Sequence, residues 1–285
     1  MTKKIAIVTD SPCELTENFI ASNDIFIIGF YVNTYRGRFQ DREEITSRNV
    51  VSYIIENKMP VSTKCPSSEE YASYYKKILV DYDEIIHITV SSLIDDSALT
   101  AKRALEDDAG LREYVHIVDS KNISAGLGVI VAEAVAERKR NMSVEQIIDS
   151  VNTLIPSVHT VFLCNTTYHM RFNGRVGKNL NEVCRRLSIY PVFEIVKGKI
   201  ELKKVMAGGY RSVINRFIYH QLKKNKNINK NQLYIVHTNA DIDTITDIQK
   251  EIEKTCHFER VNVVRASATI SGNAGPGMVG MVYTG

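Results

Sequence analysis

The sequence predicts a two-domain α/β protein, in which an N-terminal domain built on a parallel sheet is followed by a C-terminal domain built on a mixed sheet. In the first half, short apolar runs alternate with segments of helical periodicity, which is typical of βαβ units. The second half is basic and glycine-punctuated, and a hairpin signal joins its strand and helix signals. With 285 residues, of which 44% are hydrophobic, the chain can bury the cores of two domains. We place the boundary after Ser157, giving domains of residues 1–157 and 158–285.

The N-terminal half alternates strand and helix signals. Strands are predicted at residues 5–8, 25–32, 84–90 and 114–118, and helices at 45–57, 69–79, 97–106 and 124–140. Ser11, Pro12 and Glu14 match a capping box, so a further helix is expected to begin at Ser11. Residues 31–39 indicate an antiparallel excursion, and residues 59–68 indicate a loop.

The C-terminal half has a less regular order of elements. Helices are predicted at residues 144–154, 212–223 and 241–254, and strands at 158–164, 232–236 and 261–264. The glycine at position 198, between two β-rich runs, predicts a hairpin. A terminal strand is expected to follow the last glycine-rich segment.

Small oxygen-bearing side chains stand where three predicted strands end. Asp10 and Ser11 follow the first strand, Ser91 and Ser92 follow another, and Asp119 follows a third. In open α/β sheets, ligands bind in the crevice beyond the carboxyl ends of the strands, so these residues predict a polar pocket there. The alternative is that they act as ordinary helix N-caps.

Two glycine-rich segments are further candidates for ligand contact. Gly126 lies in the first turn of a helix rich in small residues, which allows close approach to a sheet or to a ligand. Residues 271–277 form a glycine-dense segment that could present amides to an anion, or could simply be a tight turn. It lacks the lysine of a phosphate-binding P-loop.

Composition narrows the function further. A net charge of +3 is too small to indicate nucleic acid as a partner. The sequence shows neither a signal-peptide pattern nor an apolar run long enough for a membrane span. The five cysteines form no CxxC pair, which favours reduced thiols in a cytoplasmic protein without a zinc site. No nucleophile motif is present either, so the residues do not favour nucleophilic catalysis, and we expect no cofactor or metal.

An ordered set of short motifs resembles the bacterial DegV family. The set runs over almost the whole chain and comprises Ile7-Val8-Thr9-Asp10-Ser11, Ser62-Thr63 with Pro66-Ser67 and Glu69-Glu70-Tyr71, Val90-Ser91-Ser92, Val118-Asp119-Ser120-Lys121, Gly126-Leu127-Gly128, Gly174-Arg175-Val176-Gly177-Lys178 and Gly275-Pro276-Gly277. Each motif is weak, but their order is fairly specific.

The resemblance implies a lipid-binding function on a DegV-like fold. Proteins of this family hold one long-chain fatty acid, such as palmitate or oleate, with the carboxylate at the domain interface and the tail in an apolar tunnel mainly within the N-terminal domain. They do no chemistry themselves but present the carboxylate to a separate fatty acid kinase subunit, so the resemblance implies that this chain is not itself an enzyme. Transient contact with a membrane is left open. By position, Thr63 and Ser92 would hold the carboxylate, with Arg175 as the nearby basic residue.

The chain also departs from the family pattern. Asp95 and Asp96 stand where the family commonly has Ser-Gly, and Asn273 replaces the usual histidine. Asparagine donates a hydrogen bond but carries no charge. We therefore expect the head group to rest on neutral donors, with affinity that changes little between about pH 6 and pH 8. These donors are Thr63, Ser92, Asn273 and the amides around Ala274 and Gly275.

Two other hypotheses stay open. In the first, the protein is an enzyme acting on a small polar or phosphorylated substrate in the same cleft. That hypothesis predicts a shallow, wet cleft, whereas a lipid carrier predicts a closed, apolar tunnel. In the second, the protein is a structural or regulatory module whose pocket is empty.

Overall fold

The computed structural model describes residues 3–187, 189–225 and 227–285. The strands are β1 (Ile5–Asp10), β2 (Ile25–Ile28), β3 (Tyr31–Thr34), β4 (Gly37–Gln40), β5 (Ser62–Lys64), β6 (Glu84–Thr89), β7 (Val115–Asp119), β8 (Val158–Leu163), β9 (Ile189–Val196), β10 (Lys199–Ala207), β11 (Gln232–His237), β12 (Arg260–Arg265) and β13 (Val279–Thr284). The helices are α1 (Glu17–Ser22), α2 (Ser47–Asn57), α3 (Ser68–Ile78), α4 (Ser97–Asp107), α5 (Ala125–Lys139), α6 (Val144–Leu154), α7 (Tyr168–Phe172), α8 (Lys178–Leu187), α9 (Tyr210–Lys224), α10 (Ile242–Thr255) and α11 (Ala268–Ala274). Short 3-10 turns occupy Ala109–Leu111 and Ile155–Ser157.

The N-terminal sheet is parallel, with the strand order β2-β1-β6-β7. Its central strands β1 and β6 are buried along their whole length, as expected for strands covered on both faces. Ile7 belongs to the core on the side of α5, whereas Val8 packs in the core that contains Tyr71 and Tyr75 of α3. The alternation follows from the two-residue period of a strand.

A small antiparallel sheet, β4-β3-β5, covers one edge of this half. The predicted excursion at residues 31–39 is confirmed as β3 and β4. The segment predicted as a loop contains β5, where Thr63 pairs with Val32. Only three residues long, β5 has no strand pattern of its own, and its conformation is set by pairing with β3.

The prediction that a helix begins at Ser11 is wrong. The helix α1 begins at Glu17, and the Thr16 side chain caps it by accepting a hydrogen bond from the backbone of Phe19. The Ser11 hydroxyl instead donates to Asp41 over 3.0 Å. A long-range partner has therefore replaced the local cap.

The C-terminal sheet is mixed, with the strand order β10-β9-β8-β13-β11-β12. Only β11 and β12 are parallel, and the predicted hairpin at Gly198 joins β9 and β10. One face packs on α9 through residues such as Leu163. The opposite face, which includes Phe162 and Val282, joins the core of the N-terminal half.

The glycine-dense segment, residues 271–277, is part helix and part turn. Residues up to Ala274 belong to α11, and the turn is confined to Gly275 and Gly277, which have φ of 77° and 87°. Although α11 comes late in the chain, it packs against α2, β3 and β5 of the N-terminal half. Asp41 fixes its start by accepting hydrogen bonds from the backbone of Ala268 and Thr269, over 3.0 and 3.1 Å.

The predicted fold class is confirmed: a parallel-sheet α/β half precedes a mixed-sheet α/β half. The mixed sheet begins at Val158. One apolar core nevertheless runs through both halves, from Ile5 to Val282. The domain boundary after Ser157 accordingly stays a prediction.

Candidate ligand-binding cavity

A narrow cavity lies between the N-terminal half and the inner face of the mixed sheet. Only about 70 Å³ inside it is open to the centre of a water molecule, so the cavity is a tight one. Its lining is drawn from both halves of the chain: Pro12, Phe30, Thr63, Val90, Ile94, Asp95, Ile123, Ser124, Thr160, Phe162, Met170, Arg175, Ile200, Val236, Thr269, Ile270, Asn273, Ala274, Met278, Gly280 and Val282.

The wall from the mixed sheet is mainly apolar. Phe162, Val236 and Val282 point from adjacent strands into the cavity. Gly280 pairs with Phe162 on β13, so it shares the inward face but contributes no side chain there. A Cβ at Gly280 would meet only ordinary contacts of 3.5 Å or more. The missing side chain therefore leaves room in the cavity.

Polar side chains on β5 and α11 meet at the cavity wall. The Asn273 Nδ2 donates to Thr63 Oγ1 over 2.8 Å and to the Thr269 carbonyl over 2.9 Å. Because a carbonyl can only accept, the bond to Thr269 fixes which end of the amide carries the nitrogen. Asn273 Oδ1 is buried and has no hydrogen-bond partner among the described residues.

Asp95 and Arg175 form an ion pair on the same lining, with 3.3 Å between Arg175 Nη2 and Asp95 Oδ2. Their side chains are 10% and 24% exposed. Burial raises the pKa of Asp95 to about 6, against the opposing effect of the Arg175 charge. The second oxygen, Asp95 Oδ1, is buried and finds no hydrogen-bond partner in the described part of the chain.

Cys65 is buried next to Asp95 but is not part of the cavity lining, and a thiol is only a weak hydrogen-bond donor to a carboxylate. It follows Lys64, the last residue of β5. Its thiol faces the Asp95 carboxyl. Burial, with the nearby Asp95 charge, raises the pKa of Cys65 to about 12, so the thiol stays protonated and is a poor nucleophile.

Gly126 lies behind the lining near Ser124 and Thr160. A Cβ at Gly126 would stand 2.1 Å from Asn122 Oδ1 and 2.3 Å from Thr160 Oγ1. Thr160 donates to that Asn122 oxygen over 2.7 Å. Gly126 thus allows close packing of α5 on β8, and its contact with a ligand stays a prediction.

Asp10 is held in a buried hydrogen-bond network outside the lining. Its carboxylate accepts from Tyr71, from the backbone of Val90 and from the Ser97 hydroxyl, over 3.2, 2.7 and 2.7 Å. His87 Nε2 lies 3.2 Å from the same carboxylate. All of these groups are fully buried, and the network joins β1 to β6, α3 and α4.

Ser91 and Ser92 also lie outside the lining. The buried Ser91 hydroxyl donates to the Gly198 carbonyl over 2.8 Å and so holds the β9–β10 hairpin. Ser92 is exposed, and its hydroxyl donates to Asp119, which also pairs with Lys121. The roles of these two serines and of Ser11 in ligand binding stay predictions.

Among the residues proposed from the sequence, Thr63, Arg175, Asn273 and Ala274 line the cavity. Gly275 follows at the end of α11, where a Cβ would meet the ring of His169 at 2.3 Å. The other polar lining residues were not proposed as ligand contacts from the sequence; they are Asp95, Ser124, Thr160 and Thr269. The Asp95-Asp96 departure from the family pattern was the one available signal.

The described residues offer neither a metal-binding cluster nor a membrane-spanning helix. Within residues 3–187, 189–225 and 227–285, no cluster of three or more His, Cys, Asp or Glu side chains could hold a metal ion. No helix in that same portion of the chain is long and apolar enough to cross a membrane. The side chains of Lys178 and Arg185, in the basic stretches of the sequence, lie outside the described residues.

Comparison with known proteins gives consistent matches over the full chain. A family model described as "Uncharacterised protein, DegV family" matches residues 4–285. A DegV domain-containing protein of Clostridium acetobutylicum is 27% identical over 282 residues, which cover 98% of each chain. One from Staphylococcus aureus is 27% identical over 290 residues, which cover 99% of each.

Solved structures with the same fold include three proteins that are described as binding a fatty acid or as loaded with one. A DegV family protein of Thermus thermophilus, described for fatty acid binding, has a TM-score of 0.87 at 22% identity and covers 99% of both chains. A DegV family protein of Eubacterium eligens, loaded with heptadecanoic acid, has a TM-score of 0.83 at 18% identity, covering 98% of this chain and 99% of that one. The fatty acid kinase B3 protein of Streptococcus pneumoniae, loaded with linoleic acid, has a TM-score of 0.82 at 16% identity, and 99% of both chains is covered.

Proposed function

This chain belongs to the DegV family, and from that membership we propose that it carries one long-chain fatty acid in the cavity between its two halves. The acyl tail lies against the apolar walls, and the head group lies at the polar end formed by Thr63, Asn273, Asp95 and Arg175. The observation that carries the proposal is the cavity itself, which is narrow and has mainly apolar walls, with a few polar side chains among its lining residues. The match to the family model confirms the resemblance that the sequence motifs predict.

The energetics favour a ligand with a long apolar tail. Each buried methylene contributes roughly 0.8 kcal/mol, so a 16-carbon chain gains on the order of 10 kcal/mol before ordering costs. A head-group hydrogen bond to a charged partner adds only about 1.5–3 kcal/mol. The tail therefore supplies most of the affinity, and the polar end supplies orientation. Palmitate and oleate are the ligands that we propose first.

Related proteins support a role as the acyl-carrying partner of a kinase. The Streptococcus pneumoniae relative is a fatty acid kinase B3 protein. We propose that this chain likewise presents its bound acid to a separate fatty acid kinase, performs no chemistry itself, and works in the cytoplasm with its five thiols reduced. The rival enzyme hypothesis needs a wet cleft, and the apolar walls of the cavity argue against it.

Lipid extraction tests the proposal directly. The protein purified from cells should yield one fatty acid per chain by organic extraction and mass spectrometry, and the delipidated protein should bind oleate in calorimetry. No extracted lipid together with no binding of palmitate or oleate would overturn the proposal.

Two glycine variants provide a matched pair. Gly280→Leu should fill the cavity and abolish loading, because the new side chain points inward. Gly209→Leu should leave loading unchanged, because Gly209 is exposed and a Cβ there would meet nothing within 4 Å. Equal lipid content in the two variants would place the tail elsewhere.

A further inference from the structure

The polar end of the cavity carries two buried hydrogen-bond acceptors that lack donors. Asp95 Oδ1 and Asn273 Oδ1 have no partner among the described residues, although each side chain lines the cavity. Both side chains are otherwise fixed, Asp95 by Arg175 and Asn273 by Thr63 and Thr269. Buried acceptors without donors are costly, so the arrangement fits a ligand that brings a donor hydrogen.

A fatty acid anion brings no such hydrogen. Bound as a carboxylate, it would add two more acceptors and a second negative charge beside Asp95. The Arg175 guanidinium can balance one negative charge but not two. Two carboxyl groups that share one site commonly resolve this conflict by sharing a proton.

We propose that the cavity binds its fatty acid with one proton held between the ligand carboxyl and Asp95, which makes Asp95 a specificity-determining residue and couples binding to proton uptake. This inference rests on the proposed function. It extends to neutral head groups that donate a hydrogen, so a long-chain alcohol with the same tail fits the site as well.

The charges around Asp95 are consistent with a shared proton. Arg175 provides one positive charge, while Asp10 and Asp96 both disfavour ionisation of Asp95. Cys65 and Tyr71 face the same region, and burial keeps both of them neutral. Of the groups that face Asp95, Arg175 thus provides the positive charge.

The direction of the pH effect follows from the free groups. Above about pH 6, both Asp95 and the free fatty acid are ionised, so forming the complex takes up one proton from solution. Affinity for the acid should then fall as the pH rises, approaching tenfold per pH unit. The sequence alone predicts an affinity that changes little with pH, because it considers only neutral donors. The ionisable carboxyl of Asp95 in the cavity lining is the reason for the difference.

Calorimetry on the delipidated full-length protein tests the coupling. Oleate and oleyl alcohol are delivered on cyclodextrin between pH 6 and 8.5, in two buffers of different ionisation enthalpy. We expect the Kd for oleate to rise by more than tenfold across this range, with uptake approaching one proton at pH 8. Oleyl alcohol should keep its affinity at pH 8.

The variants Asp95→Asn and Asp149→Asn separate this account from a loss of fold. Asp95→Asn leaves Arg175 free for the oleate carboxylate, so it should bind oleate at least tenfold more tightly than the parent at pH 8 and without proton uptake. Asp149→Asn, at an exposed position outside the lining and away from Asp95, should match the parent. Asp95→Ser, which also removes the charge, should behave like Asp95→Asn.

The outcomes distinguish the inference from the proposed function. If oleate binds with constant affinity and no proton uptake, and Asp95→Asn binds no more tightly, the inference is wrong while the fatty acid function stands. If neither oleate nor oleyl alcohol binds at any pH, both are wrong.

Discussion

Asp10 and Asp95 are two aspartates of the N-terminal half that the fold places in very different surroundings. Asp10 accepts hydrogen bonds from a backbone amide and several side chains, and its side chain is fully buried. Asp95 has one ion pair, with Arg175, and one oxygen without a partner among the described residues. A carboxylate whose oxygens all accept hydrogen bonds from the protein holds secondary-structure elements together. A carboxylate with an unpaired oxygen at a cavity wall has an acceptor left for a ligand.

Asp41 supports the same distinction. It accepts from Ser11, from the Thr269 hydroxyl and from two amides at the start of α11. It lies outside the cavity lining, and its role is to fix a helix. Burial of a charged side chain is therefore a weaker indication of function than an oxygen without a donor.

The largest effect is expected from removing Asp10, the centre of the buried hydrogen-bond network. Asp10→Ala would leave the Val90 amide and the Ser97 and Tyr71 hydroxyls without their acceptor, so the free energy of unfolding should fall by about 3–5 kcal/mol. Urea unfolding measures this, and the exposed Asp96→Ala should stay within about 0.5 kcal/mol of the parent. A loss below about 1 kcal/mol for Asp10→Ala would mean that the network is not structural.

The second prediction concerns the stability of ligand-free Asp95→Asn. The folded-state pKa of Asp95, about 6, lies above its ordinary value of 3.8, so folding favours the protonated carboxyl. That contribution is present below about pH 4 and is lost as the pH rises through 6. Because Asn resembles the protonated form, the variant should be more stable than the parent by on the order of 2–3 kcal/mol at pH 8, and equal to it at pH 4. Urea unfolding at both pH values checks this, and an equal difference at both would contradict the account.

The smallest effects compare two hydroxyls from the sequence prediction. Thr63→Ala should weaken oleate binding by about 1–3 kcal/mol, because Thr63 lines the cavity and fixes Asn273. Ser92→Ala should change it by less than about 0.5 kcal/mol, since Ser92 is exposed and bonds to Asp119. Calorimetry with oleate measures both, and equal losses would show that Ser92 reaches the head group after all.

The fold was predictable wherever periodicity was strong. Helices α2 to α6, for instance, begin and end within a few residues of the predicted bounds, because their apolar faces repeat at helical spacing. The short elements were not predictable: β5 depends on pairing with β3, and α11 is fixed by Asp41, which lies 227 residues before Ala268. No local pattern carries that information.

The candidate site was predictable only in part, for a similar reason. The family motifs led to Thr63, Arg175 and Asn273, all of which line the cavity. Ser91 resembled a ligand-binding hydroxyl, but its partner is the Gly198 carbonyl, 107 residues away. Such distant contacts decide whether a hydroxyl bonds within the protein or is free to bond with a ligand.

The position of α11 has a consequence for biosynthesis. Synthesis on the ribosome releases the N-terminal half first, and domains commonly begin to fold as they emerge. Here the cavity wall that includes Ile270 and Asn273 belongs to α11. Asp41 can accept its hydrogen bond from Ala268 only after α11 has been synthesised. A nascent chain can therefore build its parallel sheet early, but its cavity is closed only after α11 and β13 have been synthesised.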